Sequence, residues 1–421
     1  MTRTDTLLPA WPATDSARIP VGVYTSEELH REELQRFFYR GHWCYVGLEA
    51  EVPMPGDFRR SVVGERSVIM SRAADGSLHV VENVCAHRGM CFCRVRGGHA
   101  KEFVCPYHQW SYTLQGDLQG VPLRRGVRED GKVLGGMPAE FANAEHGLTK
   151  LRVASRGGVV FACFDADAPS FEDFVGPQIL RWFDRLFNGR GLRVLGYNRQ
   201  RIPGNWKLMQ ENIKDPYHPG LLHTWFVTFG LWRADNRSQL VMDDQHRHAA
   251  MISTRGASGV STTKAEVTQV SSFKAGMELH DPSILDIVPE PWWGGPTAVM
   301  TTLFPSLILQ QQVNSVSLRH IQPRGHRAFD FVWTHFAFED DDEAMVARRL
   351  KQSNLFGPAG FVSADDGEVI EHSQQAFDSK PGHHTLALLG GREVADTEHM
   401  VTETLIRGMY EYWRRVMEAP R

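Results

Sequence analysis

Between Trp43 and about Phe164 the chain runs in short stretches where apolar and polar residues alternate, a period of two that predicts β-strands. SVIMSRAADGSLHVVENV reads as a hairpin turning at Asp75-Gly76, and GLTKLRVASRGGVVFACFD as another turning at Gly157-Gly158. Ahead of this stretch, SEELHREELQRFFYR (26–40) has a Ser start signal, early acidic residues and helical spacing of Leu and Phe. After Pro169 the spacing changes to three and four. FEDFVGPQILRWFDRLF predicts an amphipathic helix, and GNWKLMQENIKDPYH follows the strand-like VLGYNRQRI. TAVMTTLF, LILQQQVNSVSLRHI and FDFVWTHFAF predict antiparallel strands of one sheet. DDDEAMVARRLKQSNLF starts a long helix behind an acidic first turn, which suits the helix dipole, and residues 401–417 predict a last helix. The polar, Gly/Ser/Thr-rich stretch 253–273 predicts a mobile loop or lid. The fold class expected is α+β: an N-terminal helical segment (1–42), an all-β domain (43–164) and a helix-on-antiparallel-sheet domain (165–421).

Composition narrows the functional classes. The 421 residues are 42% hydrophobic and 23% charged, enough to bury a large core in two domains. A formal net charge of -4 gives no reason to expect nucleic acid or an anionic membrane as partner. No stretch approaches the roughly 20 apolar residues of a membrane helix, and the N-terminus lacks a secretory apolar core, so a cytoplasmic protein is expected. Of six cysteines, Cys85, Cys91, Cys93 and Cys105 crowd together, which points to metal chemistry in a reducing compartment rather than a disulfide scaffold.

Two constellations carry chemistry. Cys85-Ala86-His87 and Cys105-Pro106-Tyr107-His108 each supply one thiolate and one imidazole from a tight loop. Two such loops can clamp a two-iron, two-sulfur cluster of Rieske type, with Cys on one iron and His on the other. Structural zinc takes the same ligand set, but zinc fingers pair Cys with Cys and His with His, the latter on a helix. Here the types alternate among strands, which favours the Rieske cluster and leaves Cys91 and Cys93 as ordinary buried thiols. In GNWKLMQENIKDPYHPGLLH, Asp215 and His218 share one helical face, while Pro219-Gly220 redirects the chain so that His218 and His223 can face one metal. A carboxylate would complete the two-His-one-carboxylate set of non-haem Fe(II) oxygenases. Asp366, in NLFGPAGFVSADDGE, is the candidate, against the plainer reading of Asp365-Asp366-Gly367 as a solvated turn.

C-x-H-x17-C-x-x-H with YHQW, then NWK…ENIKDPYHPGLLH, then GPAGFVSADDGE together resemble the α subunit of Rieske non-haem iron aromatic-ring hydroxylating oxygenases, over nearly the whole chain. The resemblance implies Cys85, His87, Cys105 and His108 as cluster ligands and His218, His223 and Asp366 as ligands of a mononuclear Fe(II), with O2 as co-substrate. It implies that Asp215 links His218 to His108 of a neighbouring subunit, hence an α-subunit homotrimer, with or without a small β subunit. NAD(P)H electrons would arrive through a separate reductase and a possible ferredoxin, since the chain has neither a dinucleotide fingerprint nor plant-type ferredoxin spacing. The short Asn212–Asp215 spacing, GVPLRRG, DPSIL and FPSLILQQ resemble the branch acting on carboxylated aromatics: salicylate, anthranilate and terephthalate. Met209, Gln311 and Phe356 are the pocket candidates. Competing readings are the same chemistry on a non-carboxylated arene, an aniline or an arylsulfonate, and a Rieske electron carrier without catalysis.

Overall fold

A computed structural model describes residues 8–12, 15–230, 236–255, 271, 273–274, 276–358, 360 and 362–420. The loop expected over 253–273 lies for most of its length outside the described residues. The chain forms two compact units, Phe38–Ala168 and the combination of Met1–Phe37 with Pro169–Arg421.

In the first unit, seven antiparallel strands follow the order Cys44–Leu48, Val159–Cys163, Lys150–Arg156, Leu78–Glu82, Arg66–Arg72, Asp57–Val63, Gly97–His99. Both predicted hairpins are present: Arg66–Arg72 pairs with Leu78–Glu82, and Lys150–Arg156 with Val159–Cys163. Gly76, Gly157 and Gly158 take positive φ at the two turns, a conformation that favours glycine. A second, three-stranded sheet (Phe103–Val104, Ser111–Tyr112, Leu118–Gly120) sits with Phe58, Phe92, Phe103 and Trp110 in one core.

The second unit is built on a seven-stranded antiparallel sheet ordered Leu192–Ile202, Phe329–Phe338, Ser315–Pro323, Leu307–Gln312, Ala298–Leu303, Ala249–Thr254, Arg237–Met242. The helix Trp206–Lys214 is capped by Asn205, whose side chain accepts from Lys207 N. Its first turn is fastened by a buried anion. Glu33 accepts from Lys207 Nζ at 2.8 Å and from the indole N–H groups of Trp206 and Trp413. This ties the helix to the N-terminal helix Glu27–Glu33 and the C-terminal helix Thr404–Glu418. A buried carboxylate with that many donors is satisfied, whereas losing it would strand a buried ammonium.

The predicted helix after Ser170 is two helices, Phe171–Val175 and Pro177–Leu186, because Gly176 turns the backbone to φ +79° and Pro177 starts the second. The helix Glu343–Phe356 starts at Asp342, whose carboxylate accepts from Met345 N. A further helix, Ser363–Ser379, was not anticipated from the sequence.

Candidate metal centres and substrate cavity

The two Cys/His loops of the first unit repeat one backbone design. Cys85 N donates to Met90 O and Gly89 N to Cys85 O; Cys105 N donates to Trp110 O and Gln109 N to Cys105 O. The fifth residue of each loop has positive φ, Gly89 in one and Gln109 in the other. Both loops therefore present their cysteine the same way, with the histidine third in one loop and fourth in the other. Cys85 and Cys105 are buried and not joined by a disulfide. The His87 and His108 rings lie 4.5 Å apart between centroids, and Trp110 stacks flat on His87 at 4.7 Å.

The donor set fits a cluster. His87 Nδ1 is buried with no protein partner, a lone pair that a metal would use. Burial, reinforced by the Cys85 side chain, pushes the Cys105 thiol up, so that a metal would have to displace its proton. Tyr112 Oη lies 3.2 Å from Cys85 Sγ and accepts from Ala86 N at 3.1 Å. Burial first, then Cys85, raises its phenol well above the ordinary range, so it remains a donor. Cys93 is a buried thiol as expected, but Cys91 is exposed, its Sγ accepting from Asn83 Nδ2 at 3.1 Å.

In the second unit, His218, His223 and Asp366 converge, with one ligand atom from each lying within 4.8 Å of the others. Asp366 Oδ1 is 3.5 Å from His218 Nε2 and 3.3 Å from His223 Nε2. The outer nitrogens face carboxylates: His218 Nδ1 lies 3.3 Å from Asp215 Oδ2, and His223 Nδ1 lies 3.2 Å from Asp365 Oδ2. The Asp365 hydrogen bond fixes the His223 tautomer with Nε2 inward, and Asp215 faces the outer nitrogen of His218 at ion-pair distance, leaving its Nε2 inward too. Asn212 Nδ2 donates to Asp366 Oδ1 at 3.1 Å and aims the third carboxylate. Burial opposes a charge on His218, yet Asp215 and Asp366 outweigh it and raise the imidazole to about 9. Burial likewise opposes the Asp366 anion, but the two histidines hold it well below the carboxylate range. The electrostatics favour a cation at the centre, and the residues fit a divalent metal.

The backbone reaches this geometry differently from the one-helix reading. Asp215 is the C-cap of Trp206–Lys214, not a residue on its face, and His218 precedes the short helix Pro219–Leu222. His223 stands at an extended break before Thr224–Thr228. Asp365 and Asp366 are no solvated turn: they occupy the first turn of Ser363–Ser379, with Asp366 buried.

A cavity of about 890 Å³ opens beside His223 and Asp366, walled by Phe226, Ile213, Met251 and Met300. None of the three predicted pocket residues lines it. Gln311 is on the opposite face of its strand, where Arg185 Nη1 donates to Oε1 at 3.0 Å and Nε2 donates to Thr297 O and Val313 O. Its neighbour Gln312, paired with Ala298, faces the cavity instead. Met209 is fully buried, one helical turn before the lining residue Ile213. Phe356 packs behind Phe226, ring centroids 6.1 Å apart, in a cluster with Trp225 and Leu355. Sequence reasoning missed Arg319, which lines the cavity and lies 4.1 Å over the Trp333 ring. Burial brings its guanidinium down to about 9, partly offset by Asp366, so it is charged at neutral pH.

Comparison with known proteins agrees with both centres. A family profile described as Rieske [2Fe-2S] domain matches residues 42–130, and one described as Ring hydroxylating alpha subunit (catalytic domain) matches residues 190–419. The chain is 70% identical over 409 residues to the large oxygenase component of salicylate 5-hydroxylase from Ralstonia sp, covering 97% of this chain and 96% of that protein. It is 37% identical to the anthranilate 1,2-dioxygenase large subunit of Burkholderia cepacia, covering 97% and 95%. A naphthalene 1,2-dioxygenase from Rhodococcus sp., solved with indole bound, superposes with a TM-score of 0.78 at 23% identity, covering 96% of this chain and 95% of the other. A carrier without catalysis would not have the second unit, and structural zinc would not match the Rieske profile. The chain belongs to the Rieske non-haem iron ring-hydroxylating oxygenases, as an α subunit with a [2Fe-2S] cluster, a mononuclear iron and O2 as co-substrate.

Proposed function

We propose that this chain is the oxygenase component that hydroxylates a carboxylated aromatic of the salicylate type, drawing NAD(P)H electrons from a separate reductase. The 70% identity to a salicylate 5-hydroxylase large component across nearly both full lengths carries this reading. The cavity beside the His218/His223/Asp366 set supports it, being of a size that holds a small ring. Cys85, His87, Cys105 and His108 would hold the cluster, and His218, His223 and Asp366 the iron. When bound, these groups supply single electrons and activation of O2.

The protein's own residues orient and exclude. Asp365 holds the His223 imidazole by a hydrogen bond, and Asp215 stands beside the outer nitrogen of His218. Asn212 fixes Asp366, and Met251, Met300 and Phe226 give the ring an apolar wall and keep water from it. Asp215 would connect His218 to His108 of the partner subunit, in a trimer of α subunits acting in the cytoplasm, with or without β subunits. Three protein ligands leave room for O2, and the ring would lie nearby without binding the metal.

The test is NADH-coupled O2 uptake with a compatible reductase on salicylate, anthranilate, terephthalate, benzoate and aniline, with product identification. Uptake and a hydroxylated acid are expected. Turnover of aniline with no acid consumed would overturn the substrate class.

A further inference from the structure

The helix Trp206–Lys214, which leads into the His218/His223 turn, is joined to the surface by oxidisable side chains that the hydroxylation does not use. Its Glu211 accepts hydrogen bonds from Tyr410 and Tyr24, whose Oη atoms lie 3.0 Å apart. Both tyrosines are fully buried. Burial first, then the Glu211 charge, raises both phenols, so neither ionises by itself near neutral pH. The Tyr410 ring stands 5.5 Å from Trp11 and 6.2 Å from Trp413, and those two indoles are 6.0 Å apart. Trp11 is only half-buried, its Nε1 donating to Asp15 O at 2.7 Å. Arg414 lies 5.0 Å over the Trp11 ring, and Glu418 answers its charge at 3.2 Å.

The inner end of this series reaches the iron centre. Asn212 follows Glu211 and donates to Asp366 Oδ1 at 3.1 Å. Asp215, which faces His218, lines the same small cavity of about 210 Å³ as Glu211. On the substrate side, the wall beside His223 and Asp366 carries Met251 and Met300, thioethers that an oxidant converts to sulfoxides. When O2 is activated there with no substrate in place, an oxidising equivalent is left with nothing to consume it. A phenol gives up an electron more readily when its proton leaves at the same time, and Glu211 is placed to take that proton. Burial raises Glu211 to about 7, hydrogen bonds opposing, so it gains and returns a proton near neutrality.

We propose that Glu211, Tyr410 and Trp11 form an escape route for oxidising equivalents: in turnover without substrate they carry oxidising power from the iron centre to the surface before it attacks the cavity wall. In the first step Tyr410 loses one electron to the iron centre and its phenolic proton to Glu211. Trp11 then supplies an electron to the Tyr410 radical, Glu211 returns the proton, and the positive charge rests on the Trp11 indole. A thiol in solution supplies the electron that restores Trp11. For every two equivalents discharged, two thiols release two protons and join as a disulfide. The route rests on the iron and O2 chemistry of the family and is independent of which aromatic is the substrate.

The experiment runs the holoenzyme with reductase, NADH and O2 but no aromatic substrate, on wild type, Tyr410→Phe, Trp11→Phe and Glu211→Gln. Radicals are read by freeze-quench electron paramagnetic resonance, and sulfoxide at Met251 and Met300 by peptide mass spectrometry, per O2 consumed. Wild type should show an indole radical and little sulfoxide. Tyr410→Phe should lose that radical and raise the sulfoxide several-fold. Glu211→Gln should do the same, because an amide accepts the hydrogen bond but not the proton. Trp11→Phe should hold the radical on tyrosine. Iron content and turnover with substrate present should be unchanged in Tyr410→Phe and Trp11→Phe. Sulfoxide in Tyr410→Phe within about twofold of wild type would overturn the route. If Tyr410→Phe proves insoluble, Trp11→Phe decides, and an indole radical that persists in it would overturn the route. Wild type that takes up no O2 without substrate has nothing to discharge, which would overturn it as well.

Discussion

Replacing Tyr112 by Phe removes one oxygen from beside the cluster loops and should lower the cluster's reduction potential. Tyr112 Oη is 3.2 Å from Cys85 Sγ. A metal-bound thiolate can only accept, so the phenol must donate, and its raised pKa keeps that proton in place. Hydrogen bonds to charged acceptors contribute roughly 1.5–3 kcal/mol. Only the part that grows when the cluster takes up an electron moves the potential. If about half does, the one-electron potential falls by roughly 40 mV. The substitution has a second consequence, because Ala86 N loses its acceptor at 3.1 Å. That orphaned amide should cost about 1 kcal/mol of stability and lower Tm by a few degrees, without loss of the cluster. Redox titration followed by visible absorption measures the first effect, and thermal melts the second. A potential that rises, or moves by less than about 10 mV while the absorption spectrum is unchanged, would refute the donor assignment.

Asp366→Ala should reduce iron from about three to about two atoms per chain and leave the Rieske absorption intact, read by metal analysis; an unchanged iron count would remove Asp366 from the ligand set. Asp215→Asn should retain both iron and the Rieske spectrum but lower turnover by about 100-fold; turnover above half of wild type would break the proposed connection between His218 and the partner's cluster. Glu211 provides a pH signature. Burial raises it to about 7, hydrogen bonds from Tyr410 and Tyr24 opposing and the Asp215 charge adding. The folded state thus binds this proton more tightly than the unfolded chain does. The stability it contributes is full below about pH 4.5 and lost as pH rises through about 7, up to about 3 kcal/mol. Glu211→Gln should therefore shrink the fall in Tm between pH 5.5 and pH 8; an identical pH profile would show that Glu211 is not held neutral.

What could be read from the sequence was whatever the chain keeps local. Each cluster loop places its Cys and His two or three residues apart, and a five-residue turn closed by two backbone hydrogen bonds needs nothing distant to form. His218 and His223 were legible for a similar reason, although the helix stops at Asp215 and the turn, not a helical face, brings them round. Asp366 lies far along the chain, and its helix was hidden by GPAGF before it and by Gly367 inside it. The amide end of Gln200, on the Leu192–Ile202 strand, lies where a Cβ at Gly367 would go, though a flexible side chain can move aside. The helix forms despite that glycine because Ser363, Asp366, Ile370 and Gln374 bury one of its faces, and tertiary burial leaves no mark in a local pattern.

The cavity residues fail for a different physical reason. Leu307–Gln312 is buried at every position, and Ser315–Pro323 likewise, so alternation of polarity cannot report which face is which. In the run Gln310-Gln311-Gln312 the chemistry is the same at three successive positions, and a phase error of one residue sends the side chain to the far side of the sheet. Gln311 was the wrong phase: its amide is consumed by Arg185 and two carbonyls, while Gln312 takes the cavity. Arg319 offered the one phase-independent signal. A lone arginine within strands buried on both faces must either find an acid in the fold or wait for one in the ligand. Arg349, equally buried, finds Glu290 and Asp341 at 2.6 Å each and is structural. Arg319 finds neither among the described residues, and that contrast between two buried arginines of one unit separates a cation spent on the fold from one left facing the cavity.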